Sequence, residues 1–289
     1  MKISEKLCSS SPIFSFEFFP PKNSEGFATL YETIARLKSS DPGFVSVTYG
    51  AGGTTRSKTV DLVGNIKSAI GIESMAHLTC VGHNEHEIYS VLENLHEKNI
   101  ENVLALRGDP PKGEEKFIKT KGGFEYGNEL VSFIKKNFSF CIGAACYPEG
   151  HIECKDLDKD IENLKRKVDS GVDFLVTQLF FDNQNYFKFL DRVQAAKINI
   201  PIIPGIMPIL NLKQMQRFTR MCGANLSPSL LGKFKGVEDD SEKVREIGIS
   251  HAIEQCRELL KYKVPGIHFY TLNRSKATLN ILDALRDFK

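Results

Sequence analysis

Eight short apolar runs, each separated from the next by a helix-like stretch, constrain the fold of this chain more than any other feature. The runs lie at about 13–18, 44–49, 73–80, 102–107, 139–147, 172–180, 200–207 and 266–271. The stretches between them, such as EIYSVLENLHEKN, carry apolar residues at the i, i+3, i+4 and i+7 spacing of an amphipathic helix. Two of these stretches end on Asn99 and Gly171, which is typical of a helix C-terminus. This alternation predicts an α/β fold, a single (β/α)8 TIM barrel.

A doubly wound open sheet is the alternative, but it usually has fewer units and a phosphate-binding fingerprint near its first strand. The glycine-rich segment YGAGGTT at 49–55 lacks the G-x-G-x-x-G order, and no G-x-x-x-x-G-K-[ST] segment occurs. The barrel is therefore preferred, with residues 1–289 forming one domain. The one long connection, roughly 208–264 between the seventh and eighth strands, has room for an extra helical insertion.

Composition excludes several classes of protein. A net charge of +2 gives no reason to expect nucleic acid or an acidic membrane as a partner. Seven scattered cysteines with no C-x-x-C pair and no zinc-site spacing indicate reduced thiols and no metal site. The N-terminus has no signal-peptide core, and no stretch approaches 18 apolar residues, so we expect a cytoplasmic protein.

Two acids stand at strand ends, where barrel enzymes place their chemistry. In IFSFEFFPP, alternation points Ser15 and Glu17 into the barrel and Phe16 outward under the helices. The following prolines end the strand because proline cannot donate to a ladder, so Glu17 is the last inward residue before the mouth. Asp109 occupies the matching place in VLALRGDPP after the fourth strand. The sequence predicts that both carboxylates lie on the rim of an active site.

Each of these residues also has a purely structural interpretation. Glu17 could be the ion-pair partner of Arg107, and Asp109 could form a turn before its prolines. His77 could be a core histidine with all its hydrogen bonds satisfied. The basic residues 165–167 in a predicted helix could form a solvated face, although an arginine and a lysine there could also bind phosphate.

Eight segments occur in a fixed order between about residues 13 and 275: FSFEFFPPK, FVSVTYGAGG, HLTC, LALRGDPP, AACYPEGH, NLKRKVDSGVDFLVTQLFFD, IIPGIMPI and HFYTLNR. This ordered set resembles the motif series of the 5,10-methylenetetrahydrofolate reductases, most closely the short bacterial form. The resemblance implies a catalytic barrel with no regulatory domain.

The resemblance also implies an activity. Family members hold FAD at the barrel mouth and pass a hydride from NADH or NADPH, through the flavin, to 5,10-methylenetetrahydrofolate. The product, 5-methyltetrahydrofolate, feeds one-carbon metabolism and methionine biosynthesis, and the kinetics are ping-pong. A homo-oligomer is expected. The choice between NADH and NADPH stays open, because the acidic residue that contacts the ribose in a Rossmann fold is absent as a guide.

Residue roles follow from the resemblance, position by position. Glu17 matches the general acid that protonates a folate nitrogen, and we expect partial burial to raise its pKa. Asp109 matches the acid that stabilises the cationic iminium near the flavin. The flavin-binding positions are Thr48, Tyr49, Ala51, His77, Arg107, Gly108, Asp109, Tyr126, Gly127, Ala145, Tyr147, His151, Cys154, Asp160, Asn163, Arg166 and Lys167. The folate-binding positions are Gln178, Gln214, Phe218, Tyr270 and Arg274.

The residues themselves leave two further functions open. A cofactor-free barrel hydrolase could use Glu17 and Asp109 as an acid–base pair, as glycosidases do. The chain has no tryptophan, the usual stacking platform in a sugar site, which disfavours this alternative. A non-enzymatic ligand-binding barrel is disfavoured by the ordered motif set.

Overall fold

In the computed structural model, which describes residues 1–50, 56–110, 113–114 and 116–288, the strands form one parallel sheet that curves into a nearly closed barrel. The strands are β1 Ile13–Phe18, β2 Phe44–Val47, β3 Ser74–Thr79, β4 Asn102–Leu106, β5 Cys141–Cys146, β6 Phe174–Thr177, β7 Ile202–Ile203, β8 Gly205–Ile206 and β9 Gly266–Tyr270. Their order is β7-β6-β5-β4-β3-β2-β1-β9-β8. The predicted α/β barrel is confirmed.

The helices follow the strands as the periodicity predicts. They are α1 Ile3–Lys6, α2 Ser24–Lys38, α3 Arg56–Asn65 with a π-helical continuation Ile66–Ile70, α4 Glu85–Glu97, α5 Gly127–Asn137, α6 Leu157–Asp169, α7 Asn183–Ala195, α8 Leu212–Cys222, α9 Pro228–Lys233, α10 Ser241–Lys261 and α11 Lys276–Asp283. A 3-10 turn spans Arg286–Phe288. Helices α8, α9 and α10 are the insertion expected before the last strand. Among the described residues, no helix combines the length and apolar character that a bilayer crossing requires.

The predicted helix ends at Asn99 and Gly171 are also confirmed. Both residues adopt left-handed backbone, with φ of 57° and 115°, just after α4 and α6. At its other end, α4 begins with a capping box, in which Asn84 accepts from the Glu87 backbone and the Glu87 side chain accepts from the Asn84 backbone. Local sequence signals therefore set these boundaries.

The seventh strand differs from the prediction because it is divided into two pieces. Pro204, which has no backbone N–H, separates β7 from β8. The first piece pairs only with β6 and the second only with β9. The Pro204 carbonyl still accepts from the backbone N–H of His268 at 2.9 Å. The segment that contains β7 and β8 therefore bridges β6 and β9, pairing with β6 through its first part and with β9 through its second.

Side-chain alternation along β1 divides the core as predicted. Phe14, Phe16 and Phe18 are buried in the layer between the sheet and the helices. Inside the barrel, a separate apolar cluster includes Ile3 and Leu7, from α1 and the residue after it. Because the Ile3 N–H donates to the side chain of the first β4 residue, α1 closes the N-terminal end of the barrel. The opposite end, at which Glu17 lies, is the mouth.

The loop after β9 fixes the chain that leaves β1 at the mouth. Leu272 and Asn273 both adopt left-handed backbone, with φ of 50° and 56°, which is costly for residues other than glycine. In this conformation the Asn273 side chain accepts from the Phe19 N–H and donates to the Phe19 carbonyl, each at 2.9 Å. The Thr271 hydroxyl donates to the Glu17 carbonyl at 2.6 Å. The backbone around Glu17 is therefore held by the last strand.

Two helical glycines give a test of how tightly the insertion packs on the barrel. A Cβ at Gly248 in α10 would overlap the carbonyl oxygen of Ile209, whereas a Cβ at Gly232 in α9 would meet nothing within 4 Å. We expect Gly248→Ala to lower the free energy of unfolding by about 1–3 kcal/mol or more, because backbone must move. Gly232→Ala, the matched control, should raise it by up to about 1 kcal/mol. Urea unfolding measures both, and equal effects would contradict the packing described here.

Candidate active site at the barrel mouth

The Glu17 carboxylate lies at the centre of the mouth, between two histidines. In the parallel register Glu17 stands beside Ser46 of β2 and Tyr270 of β9. Its Oε2 atom is 3.4 Å from Nε2 of His77 and 3.7 Å from Nε2 of His268. The Glu17 side chain keeps 21% of its surface exposed, so a ligand at the mouth can reach it.

The electrostatics of Glu17 correct one expectation. Burial raises the pKa of this carboxyl, as predicted, and is the largest single influence on it. The two imidazoles that face its Oε2 atom, His268 more than His77, together outweigh burial, so the pKa of Glu17 is lowered below its ordinary value. Without a ligand the group is an ionised carboxylate at neutral pH. The sequence predicts only the effect of burial on this carboxyl, not the opposing effect of the two imidazoles.

His77 lies on the inner face of β3 and is only 6% exposed. Burial lowers its pKa to about 4, although the charge of Glu17 raises it, so the ring is neutral near pH 7. Its Nε2 atom and the Oγ1 atom of Thr79 are buried and make no hydrogen bond to a described residue. Buried polar atoms normally have partners. The Nε2 atom of His77 faces Oε2 of Glu17 at 3.4 Å without forming a hydrogen bond, so His77 is not a core histidine with all its hydrogen bonds satisfied.

Arg107 follows β4 and forms an ion pair that the sequence does not predict. Its guanidinium makes a two-pronged ion pair with Glu153, at 2.7 Å and 2.6 Å. This hydrogen bonding raises the pKa of Arg107, and the guanidinium also lies 5.1 Å from the ring centre of Phe117. The alternative pairing of Arg107 with Glu17 is wrong. Arg107 is a fixed cation at the edge of the mouth.

The next two residues after Arg107 bring a carboxylate to the rim. Gly108 has φ of 89°, and a Cβ there would lie 2.8 Å from Cγ1 of Val81, so the backbone approaches the β3 loop too closely for a side chain. Asp109 is exposed and makes no hydrogen bond to a described residue. The turn interpretation of Asp109 involves the two prolines that follow it, of which residue 111 lies outside the described residues. Its negative charge acts on Arg107 and Tyr147.

A second cation reaches the mouth from α6. The half-buried Lys167 donates from Nζ to the carbonyl of Ala145, near the end of β5, at 2.6 Å. Burial lowers the pKa of Lys167. On the same helix, Asp160 accepts from the backbone N–H of His151 at 3.2 Å, and burial raises the Asp160 pKa. The basic helix is thus not solvated throughout, although Arg166 is exposed.

Two of the predicted folate residues, Phe218 on α8 and Tyr270 on β9, lie in one part of the structure. The Tyr270 hydroxyl donates to the Thr177 carbonyl at 2.6 Å, and burial raises the pKa of this phenol well above its usual value. Phe218 and Tyr270 pack, partly buried, against one apolar cluster. A Cβ at Gly205 would lie only 2.6 Å from the Tyr270 ring, so glycine leaves the space that this ring occupies. The Gln178 N–H donates to the Cys146 carbonyl at 2.7 Å.

Other predicted positions make contacts within the protein. Tyr49 is buried, and its hydroxyl lies 3.2 Å from Nε2 of His83. The thiol of Cys154 donates to the Asp156 carbonyl at 3.3 Å. The rings of Tyr147 and His151 meet edge to face, with centres 4.6 Å apart.

The remaining predicted positions are mostly exposed. Gln214 on α8, Arg274 after β9, Asn163 on α6 and Tyr126 before α5 present open side chains. Thr48 is half-buried, and its carbonyl accepts a hydrogen bond from the Thr59 hydroxyl. A Cβ at Gly127 would lie 3.5 Å from the backbone nitrogen of Arg107. Ala51 lies outside the described residues.

Sequence reasoning missed His268 and Glu153. Counting back two residues from Tyr270 would have placed His268 on the inner face of β9. No such signal identifies Glu153, because it pairs with Arg107 across 46 residues of chain.

The residues at the mouth fit a large anionic cofactor on their own chemistry. Arg107 and Lys167 supply two fixed cations of the kind that bind phosphates. The buried hydroxyl of Thr79 in β3, which makes no hydrogen bond to a described residue, could supply a polar contact. Among the described residues, no cluster of three or more His, Cys, Asp or Glu side chains could hold a metal ion.

Comparisons with known proteins give a consistent result. A family model described as methylenetetrahydrofolate reductase matches residues 2–286. The 5,10-methylenetetrahydrofolate reductase of Escherichia coli is 39% identical, over 94% of this chain and 90% of its own length. Methylenetetrahydrofolate reductase 1 of Schizosaccharomyces pombe is 41% identical over 99% of this chain. This chain spans only 48% of that protein, and about half of the other long relatives.

A solved structure agrees on the fold. A Clostridium thermocellum protein that binds two copies of 5-methyl-5,6,7,8-tetrahydrofolic acid has a TM-score of 0.65, covering 99% of this chain and 98% of its own. At 17% identity this likeness shows the fold alone.

The neutral, buried state of His77 predicts how stability depends on pH. As pH falls below 6.5, the unfolded chain takes up a proton at this residue, whereas the folded protein does not until about pH 4. Stability should therefore fall through that window, with His77 accounting for about 2 kcal/mol between pH 7 and pH 5. We expect His77→Gln to lose about that much less over the same interval, as measured by urea unfolding. His86→Gln, on the exposed surface of α4, is the matched control and should keep the wild-type dependence.

Proposed function

This chain belongs to the methylenetetrahydrofolate reductase family, and on that premise we propose that it reduces 5,10-methylenetetrahydrofolate to 5-methyltetrahydrofolate. The hydride comes from NADH or NADPH through a bound FAD, and the product feeds one-carbon metabolism and methionine biosynthesis. The observation that supports this most strongly is Glu17, a partly exposed carboxyl at the mouth held by two imidazoles.

Glu17 is proposed as the general acid. It donates a proton to a ring nitrogen of the folate, the carbon–nitrogen bond to the methylene group breaks, and the resulting iminium carbon accepts the hydride. Glu17 is ionised in the open mouth, so it must first take up a proton. A folate seated over the mouth excludes water from the 21% of the side chain that is exposed, and burial raises a carboxyl pKa. Substrate binding thereby prepares the acid.

Asp109 and the nearby cations are proposed to stabilise charges of opposite sign, on the folate and on the cofactor. The exposed carboxylate of Asp109 stabilises the positive charge that develops on the iminium. Arg107 and Lys167, with Arg166 beside them on α6, would hold the pyrophosphate of FAD. When bound, FAD supplies reversible hydride transfer. Glu153 holds the Arg107 guanidinium in one orientation at the rim.

We propose that folate and nicotinamide use this mouth in turn. Gln178 can offer a donor and an acceptor to a pterin edge or to a carboxamide, and Phe218 offers an aromatic face to either ring. Gln214, Tyr270 and Arg274 complete the folate side. One shared site gives ping-pong kinetics, with parallel double-reciprocal lines. A homo-oligomer is part of the proposal, and light scattering tests it.

The role of Glu17 predicts that the two half-reactions separate. In Glu17→Gln, reduction of the flavin by the nicotinamide should continue, because it needs no acid at a folate nitrogen. Folate reduction should fall by 10²-fold or more, the usual size of general acid catalysis. Stopped-flow absorbance of the flavin measures each step. Glu32→Gln, an exposed carboxylate on α2, is the control. Equal loss in both steps would make Glu17 a structural residue.

The cation pair predicts where FAD affinity comes from. Lys167→Met and Arg166→Met should each weaken FAD binding roughly tenfold to a hundredfold, the value of one charge-assisted hydrogen bond. Lys165→Met is the matched control on the same helix, because Lys165 already pairs with Asp169. Titration of the apoprotein with FAD gives the affinities. A wild-type protein that binds no FAD would contradict the proposed function and favour the cofactor-free hydrolase.

A further inference from the structure

His268 is a buried histidine near Glu17, and its two ring nitrogens have different polar neighbours. His268 is 1% exposed and lies inside the barrel, with its ring stacked on Phe44 at a centre distance of 5.7 Å. Its Nδ1 atom is 2.8 Å from Oγ of Ser15. Its Nε2 atom is 3.3 Å from Oγ of Ser46 and 3.7 Å from Oε2 of Glu17. Each ring nitrogen therefore has its own set of partners.

These partners favour one tautomer of His268. An ionised Glu17 accepts and cannot donate, so the nitrogen facing it is best used as a donor. With the proton on Nε2, the Nδ1 atom becomes an acceptor, and the Ser15 hydroxyl can donate to it at 2.8 Å. In the opposite tautomer, the Ser15 hydroxyl would have to donate to the Ile267 carbonyl at the long distance of 3.5 Å. Hydrogen bonding thus selects the Nε2–H form.

Both imidazoles approach the same carboxylate oxygen. Nε2 of His77 and Nε2 of His268 lie 3.4 Å and 3.7 Å from Oε2 of Glu17. The other oxygen, Oε1, makes no hydrogen bond to a described residue. The oxygen that faces both ring nitrogens is the better stabilised of the two as a negative acceptor, so a proton taken up by Glu17 is expected on Oε1.

Building on the proposed function, we propose that His268, fixed by Ser15 and Ser46, is a positioning residue that reserves Oε2 of Glu17 as an acceptor. The proton that Glu17 gives to the folate nitrogen is thereby held on Oε1. No new covalent step is involved. The N–H of His268 stays on His268 throughout, and only the Glu17 proton is transferred.

Few other groups around Glu17 could produce the same effect. Among the described residues packed against it, β2 contributes Ser46, which does not titrate, and β3 contributes His77. The last strand contributes His268 and Tyr270, and the Tyr270 phenol is neutral because burial raises its pKa. A change in the titration of Glu17 can therefore be assigned to one of the two histidines.

The tautomer is tested directly, without any enzymatic reaction. Ring-nitrogen NMR of protein labelled with ¹⁵N-histidine distinguishes the two forms, and the spectrum of His268→Gln assigns the signal among the seven histidines. We expect the Nε2–H form in the wild type, and a shift toward the Nδ1–H form in Ser15→Ala. A wild-type His268 in the Nδ1–H form would overturn the proposal. This result does not depend on whether the protein is a reductase.

The effect on the acid is tested by the pH profile of the folate half-reaction. In His268→Leu, removal of the donor should move the inflection up by roughly one pH unit. The low-pH plateau should fall about fivefold or more, because the proton is no longer confined to Oε1. His268→Gln, which keeps an N–H, should recover part of both changes. Ser15→Ala should move the profile in the same direction by less, and it provides the test if the leucine variant does not fold.

Two comparisons separate the possible failures. His251→Gln is the control, because this half-buried histidine bonds to the Phe181 carbonyl and makes no contact with Glu17, and it should leave the profile unchanged. A lower rate with an unmoved inflection in both His268→Leu and Ser15→Ala would show a merely structural role and overturn the proposal. If the wild type reduced no folate, the proposed function would fail, while the NMR result would still decide the tautomer.

Discussion

The pairing of the first strand with the last is the constraint on which the site depends. The parallel register between β1 and β9 sets Ser15 beside His268 and Glu17 beside Tyr270. Shifting this register by one residue would turn every one of these side chains to the other face. The loop after β9 reinforces the pairing through the Thr271 hydroxyl on the Glu17 carbonyl. The pairing that closes the barrel therefore also positions Glu17.

That closure places Glu17, which is ionised in the open protein, where a bound ligand would bury it further. Burial and the two imidazoles act on Glu17 in opposite directions, and the imidazoles prevail while water still reaches the side chain. A ligand that removes this water strengthens burial alone. Arg107 follows β4, and Lys167 on α6 donates to the Ala145 carbonyl of β5, so both cations lie at other strands than the one that carries Glu17.

Much of this could be predicted from the sequence, because the informative signals are local. The alternation in IFSFEFFPP placed Glu17 inward at the mouth, and Asn99 and Gly171 marked true helix ends. Four features were not predicted: the division of the seventh strand at Pro204, the depressed pKa of Glu17, and the contacts of His268 and Glu153. These depend on tertiary pairing. Ser15 and His268, for example, are 253 residues apart in the chain, so their register exists only once the barrel closes.

The central claim is that the mouth holds Glu17 ionised until folate covers it. Infrared difference spectra of ¹³C-glutamate-labelled protein, with Glu17→Gln subtracted, report the protonation of this one carboxyl as pH is varied. The account predicts titration below the ordinary glutamate range in the open protein, and a clear rise toward neutrality when 5-methyltetrahydrofolate is bound. A Glu17 titration that is the same with and without the folate would contradict it.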